Sequence, residues 1–303
     1  MLYKDWLNCF LELYIKVYTK ERTYLKYHQQ MQKYIIPKLG DYDVNDLSAL
    51  TLQEFSSWLK ELNLATNTIN FIISILKSSL KKGVDLGIIE KQYSDIIARP
   101  KKRPNKISCF SFEEQKKIEK YILESKEPYY FGILLCLYTG LRIGELLCLT
   151  WDDIDFYNHS ISITKSCYDR WQNGHYIKVI ETPKTRSSER IIPLPKCLIS
   201  YLKIHHKKTK SSFVIFGKKD NGVKIRSYQR SFERLLKRLN IPHKGFHSLR
   251  HTFATRALEI GMDVKTLSEI LGHQNPTITL ERYAHSLMEH KVDMMNRLGR
   301  LLI

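Results

Sequence analysis

The stretch Arg99-Pro-Lys-Lys-Arg-Pro-Asn-Lys106 breaks every periodic pattern in this chain. Two prolines fix φ and remove backbone donors, and five basic side chains cannot build a core. The segment therefore reads as an exposed linker, and residues 1–98 and 107–285 must each bury an apolar core of their own. A chain of 303 residues is long enough for two such units. The linker is either a solvated hinge or a strap that follows a polyanion, and its charge density favours the strap.

The first unit is predicted to be a small all-helical bundle. Residues 3–38 carry two helical patterns rich in Tyr, Leu and Ile, and a third helix is expected to start at Thr51-Leu-Gln-Glu54, which has the spacing of a capping box. A fourth is predicted over Thr66–Leu80, with Ile69, Ile72, Ile73, Leu76 and Leu80 on one face. The second unit opens with another capping box, Ser111-Phe-Glu-Glu114, and the apolar run Tyr129–Tyr138 reads as a buried helix ending near Thr139-Gly140. Ile161–Ile163, Tyr176–Ile180 and Arg190–Ile192 are then expected to form one three-stranded antiparallel sheet, with a polar loop at Thr182–Ser188. From Ser227 the pattern is helical again. The fold class is mainly α with a small antiparallel β-sheet. Beyond residue 285, Leu287, Val292, Met295, Leu298 and Leu301 give residues 286–303 the spacing of an amphipathic tail.

Composition narrows the partners. Forty-nine Lys and Arg against 31 Asp and Glu leave a net charge of +18, spread along the chain. A polyanion is implied. No apolar run reaches about 18 residues, and no signal peptide or lipidation motif is visible, so a membrane is excluded as the partner and a cytoplasmic, nucleic-acid-facing protein is expected. Cys9, Cys109, Cys136, Cys148, Cys167 and Cys197 form no CxxC pair and no Cys/His ligand set, and read as reduced thiols. Neither a metal nor a cofactor is expected.

Three segments carry chemistry. In Thr139-Gly-Leu-Arg-Ile-Gly-Glu-Leu, Arg142 follows an apolar helix and needs an anion, either Glu145 or a ligand phosphate. In Gly245-Phe-His-Ser-Leu-Arg-His-Thr-Phe-Ala, His247 and Arg250 share one helical face while Leu249 and Phe253 can face the core. In Leu271-Gly-His-Gln-Asn-Pro-Thr-Ile-Thr-Leu-Glu-Arg-Tyr, Gly272 ends one helix, while Asn275 and Pro276 suit the start of the next. That places His273 in the connecting loop and Tyr283 near the end of a short helix. Each segment alone has a bland reading: an ion pair, surface decoration, or one tyrosine among 18.

Together, with Lys184 in the polar loop, they form a metal-free kit for phosphodiester chemistry. Two guanidinium groups can neutralise the non-bridging oxygens of a pentacoordinate phosphorane. A tyrosine oxygen is a competent nucleophile whose phosphate ester conserves the energy of the broken bond, so rejoining needs no ATP. Lysine and histidine can move the protons.

These motifs closely resemble those of the tyrosine recombinases, the family of phage integrases, Xer recombinases and Cre, which carry Arg, Lys, His-x-x-Arg, His or Trp, and Tyr in that order. The resemblance covers residues 107–290 by motif, and the preceding bundle looks like the family's SAM-like core-binding domain. It implies a site-specific DNA recombinase working through a 3′-phosphotyrosyl link and a Holliday junction. Arg142 and Arg250 become the phosphate clamp, Lys184 the general acid for the departing 5′ hydroxyl, and His247 the acid/base partner of the nucleophile. His273 becomes a donor to the scissile phosphate and Tyr283 the nucleophile. Lys178 and Arg186 remain alternative cations for the Lys184 role. The implied partners are double-stranded recombination sites, three further copies in a tetramer, and accessory bending or directionality proteins. The tail would dock on a neighbouring protomer or pack in cis. A type IB topoisomerase and a catalytically silent DNA-binding protein are the competing readings, and integration competes with dimer resolution.

Overall fold

In a computed structural model the chain divides into two compact units, Met1–Asn105 and Lys106–Ile303. The structure describes all residues except 92, 94, 96, 102–107, 126, 173, 183–188, 210, 218–221, 284–287 and 302–303; for 278, 281–283, 288–291, 293, 294 and 301 it describes the backbone only. Most of the linker expected at 99–106 thus lies outside the described residues.

The first unit is helical. Helices α1 (Tyr3–Phe10) and α2 (Lys16–Tyr18) are joined by a π turn at Leu11–Ile15, and α3 (Glu21–Gln30) and α4 (Ile36–Leu39) by another at Met31–Ile35. Helices α5 (Ala49–Glu61) and α6 (Thr66–Asp85) complete the bundle. The expected stripe of α6 is buried throughout, and it holds α1 by polar contacts as well: Tyr3 Oη lies 2.6 Å from Ser79 Oγ, and Trp6 Nε1 donates to the Ser79 carbonyl at 3.0 Å. Helix α5 begins earlier than expected. Ser48, not Thr51, is its cap, and its hydroxyl accepts the Thr51 N–H. Thr51 and Glu54 are both inside the helix, where their spacing carries no capping meaning.

The second unit is mixed. Helix α7 (Phe112–Glu124) starts at the Ser111/Glu114 capping box, α8 (Phe131–Thr139) is buried along nearly its whole length, and the short α9 (Ile143–Leu146) follows. The strands are β1 (Ile154–Asp155), β2 (Ser160–Ile163), β3 (Ser166–Gln172), β4 (His175–Glu181) and β5 (Arg190–Pro193). They form two sheets, not one: β1-β2-β5, with Ile161 opposite Ile192 and Ile163 opposite Arg190, and a separate β3-β4 hairpin. Tyr176–Ile180 therefore pairs with Ser166–Gln172, a strand that the sequence reading passed over because Asp169, Arg170 and Gln172 dilute its β-type pattern. Helix α10 (Lys196–Lys207) was likewise not expected, and α11 (Ile225–Arg238), α12 (Ser248–Glu259), α13 (Val264–Leu271), α14 (Pro276–Tyr283) and α15 (Met288–Leu301) complete the unit. Leu134, Leu135, Leu146, Leu147, Leu202, Phe232 and Leu249 anchor the main core around α8, and a satellite cluster of Ala254, Ala257, Leu258, Leu267 and Leu271 fixes α12 to α13. Along α15, Val292, Met295 and Leu298 are exposed. No described helix is long and apolar enough to cross a membrane.

Candidate active site

The site is assembled where three turns of backbone meet. Helix α8 ends at Gly140, whose φ of +67° is left-handed and whose missing Cβ would otherwise sit 2.6 Å from Phe253 Cδ1. That turn brings the Gly140 carbonyl over α12 and sends Arg142 into an extended conformation at the head of α9. Glu145, one turn on, accepts the Arg142 backbone N–H at 2.9 Å and its Nη1 at 2.7 Å. The structural ion pair expected for Arg142 is present.

Glu145 also takes a second guanidinium. Arg190 on β5 reaches both carboxylate oxygens, Nη1 to Oε1 at 3.1 Å and Nη2 to Oε2 at 2.9 Å. The Arg190 and Glu145 side chains are 6% and 5% exposed, so this is a buried bidentate pair. Burial alone would push the Glu145 carboxyl up, but the Arg190 hydrogen bond, the charges of Arg190 and Arg142, and the Arg142 N–H outweigh it and hold the group down at about 2.

Helix α13 ends at Gly272, which closes it in the left-handed conformation. Its last carbonyls would lack partners in an isolated helix and form the negative end of the helix dipole. Here they receive three guanidinium groups: Arg190 Nε on Ile270 at 2.6 Å, Arg250 Nη2 on Leu271 at 2.6 Å, and Arg142 Nη2 on Gly272 at 3.2 Å. Arg250, though charged, is only 2% exposed. It also donates from Nη1 to Gly140 at 2.8 Å, and its Nη2 lies 2.9 Å from His273 Nε2. The other His273 nitrogen, Nδ1, is 2.7 Å from the hydroxyl of the fully buried Thr279. His247 occupies the cap position of α12, its ring packed edge-on against His251.

Of the expected residues, Arg142, Arg250 and His273 thus meet at one turn, His247 lies one helical turn before Arg250, and Tyr283 is the last residue of α14. Lys184 and Arg186 lie outside the described residues. Lys178 is described: its amine donates to the Leu147 carbonyl and lies over the Phe213 ring, and burial lowers its pKa. The sequence reading missed Arg190 and Thr279. A signal for Arg190 existed, because in β5 it is in phase with the buried Ile192, and a cation on a core face needs an anion. Thr279 stands four residues before Tyr283, but nothing in its spacing points to His273.

A family model described as the phage integrase family matches residues 89–290, and one described as the phage integrase N-terminal SAM-like domain matches residues 2–60. The XerC-like tyrosine recombinase of Caldanaerobacter subterraneus subsp. tengcongensis is 28% identical across 99% of this chain and 83% of its own length. The transposase from transposon Tn916 of Enterococcus faecalis is 28% identical across 95% and 77% respectively. Among solved structures, the Tn1549 transposon integrase in complex with a circular intermediate DNA superposes with a TM-score of 0.82 at 25% identity, over 98% of this chain and 99% of that one.

Proposed function

The chain belongs to the phage integrase family and is a tyrosine recombinase, and we propose that it cuts and rejoins double-stranded DNA at specific sites with Tyr283 as nucleophile. The observation that carries this reading is the convergence of Arg142 and Arg250 on consecutive carbonyls, Gly272 and Leu271, beside His273. A scissile phosphate entering this turn replaces neutral carbonyl acceptors with charged oxygens, for which guanidinium forks are the stronger partners. Once the forks have exchanged onto the phosphate, the charge that builds on its oxygens in the transition state is met by donors held at this turn, an effect worth about 10²–10³ in rate per donor in comparable oxyanion sites.

In the first step the Tyr283 oxygen attacks phosphorus, the bond to the 5′ oxygen breaks, and a 3′-phosphotyrosyl link forms. His247 accepts the tyrosine proton and Lys184 supplies one to the departing oxygen. In the second step the 5′ hydroxyl of the partner duplex attacks the link, and the protons return. Bond energy is conserved in the ester, so no nucleotide is consumed. Two such exchanges, through a Holliday junction held by four protomers, complete a crossover. The interior engagement of Lys178 supports Lys184 over it as the general acid.

Residues 1–98 are assigned to core-site DNA, 99–106 to the strap, 107–285 to catalysis, and 286–303 to a neighbouring protomer, a role that the exposed Val292, Met295 and Leu298 suit. Excision and integration of a mobile element in the bacterial cytoplasm, through a circular DNA form, is the proposed setting. Likeness to a transposon integrase bound to a circular intermediate supports it. Bending and directionality proteins would act on the same DNA.

The test is a plasmid carrying two copies of the DNA that borders the mobile element. Deletion of the intervening segment by wild type supports the assignment. Relaxation of supercoils without crossover refutes it.

A further inference from the structure

His273 presents its two ring nitrogens to two partners of different kinds. Nε2 lies 2.9 Å from Arg250 Nη2, and a guanidinium only donates, so Nε2 must offer its lone pair. In a neutral ring the proton then sits on Nδ1, 2.7 Å from Thr279 Oγ1, which accepts it. In this tautomer His273 cannot donate from Nε2, yet donation to the scissile phosphate is the role assigned to it above. Of the two partners, only the hydroxyl can reverse, because it both donates and accepts.

We propose that Thr279 is the positioning residue that lets His273 switch tautomer: it accepts from Nδ1–H in the DNA-free protein, where Arg250 fixes the lone pair on Nε2, then turns its own O–H toward Nδ1 once a phosphate draws Arg250 away, so that Nε2–H faces the phosphate. Nε2 takes a proton from solvent, the transient imidazolium then gives up its Nδ1 proton, and the ring is neutral before and after. The proposal rests on the reading of His273 as a phosphate donor. It explains why a hydroxyl with no exposed surface is directed at this ring. Thr279 also stands one helical turn before Tyr283 on α14, so the same hydrogen bond ties the nucleophile's helix to the phosphate turn. A valine, which matches threonine in shape, would keep the packing and lose both effects.

The test uses the full chain with ¹⁵N-labelled histidine, with the His273 signals assigned by their loss in His273→Gln. Long-range proton–nitrogen spectra without DNA should show His273 protonated at Nδ1 and bare at Nε2. Thr279→Ser and Thr279→Val should both keep that pattern, because Arg250 alone fixes the lone pair on Nε2; with the nicked duplex bound, wild type and Thr279→Ser should carry the proton on Nε2 and Thr279→Val should not. On a nicked site duplex, Thr279→Val should bind normally and form adduct about 10- to 100-fold more slowly, as when a histidine loses the group that orients it. Thr279→Ser should restore the rate to within a few-fold. An Nε2–H tautomer in the free wild type, or wild-type cleavage by Thr279→Val, would overturn the proposal. Failure of wild type to form any adduct would instead refute the site assignment, and the spectra would still decide the role of Thr279.

Discussion

Replacing Glu145 by Gln keeps the side chain's shape and removes the only carboxylate shared by Arg142 and Arg190 in the described structure. Lowering a carboxyl from its ordinary value of 4.5 to about 2 corresponds to about 3 kcal/mol of preference for the ionised folded state. Breaking a buried pair from one side typically costs about 3–5 kcal/mol, so the two routes to the magnitude agree. The sign follows from linkage. The folded value lies below the unfolded one, so the contribution is complete above pH 4.5 and fades as the pH falls toward 2. At pH 3.5 about 1.4 kcal/mol of it should be gone. Urea titration of wild type and Glu145→Gln, followed on the catalytic unit's transition, should show the variant less stable by about 3 kcal/mol at pH 7 with an unchanged slope. In a thermal scan that is a drop of about 6–12 °C for a unit of this size. The gap should narrow below pH 4.5. A gap under about 1 kcal/mol, or one that stays constant down to pH 3, would refute the view that this carboxylate holds the two arginines.

Arg142→Lys and Arg250→Lys should each slow adduct formation by about 10²-fold or more while retaining site binding, because a point charge cannot reproduce the fork; near-wild-type single-turnover rates would remove the clamp. Lys184→Ala should be inactive on ordinary DNA and regain cleavage on a substrate with sulfur at the 5′ bridging position, whose leaving group needs no proton. No rescue would shift the role to Arg186 or Lys178. Site affinity should fall steeply and linearly on a log–log plot against salt, with a slope of about −0.9 per phosphate neutralised, and a flat dependence measured by fluorescence anisotropy would contradict a phosphate-led interface.

Some of this molecule was legible because local physics and tertiary structure agreed. The Ile69–Leu80 stripe is buried along α6, and the Ser111/Glu114 box starts α7 because no other cap competes with it. At α5 the expected cap, Thr51, lies three residues inside the true one, and only the fold shows that Ser48 is used. The β3-β4 hairpin was obscured because strand identity there comes from cross-strand pairing rather than from an apolar alternation. Helix α10 was readable, since Leu198, Ile199 and Leu202 have helical spacing and are buried. In the site, Arg142, His247, Arg250, His273 and Tyr283 stand in motifs and could be named from the chain. Arg190 and Thr279 act through other side chains, and their partners lie across the fold or around a loop. The phase of Arg190 with Ile192 in β5 hinted at its burial, but which groups it and Thr279 meet is set by packing that no local pattern records.

The most direct test of the central claim is to trap the covalent intermediate on nicked duplexes tiled across DNA bordering the mobile element, using wild type and Tyr283→Phe, and to sequence the DNA-linked peptide by mass spectrometry. The account expects a denaturation-resistant adduct from wild type only, with the 3′ phosphate on Tyr283. An adduct from Tyr283→Phe, or a phosphate carried by any other residue, would contradict it.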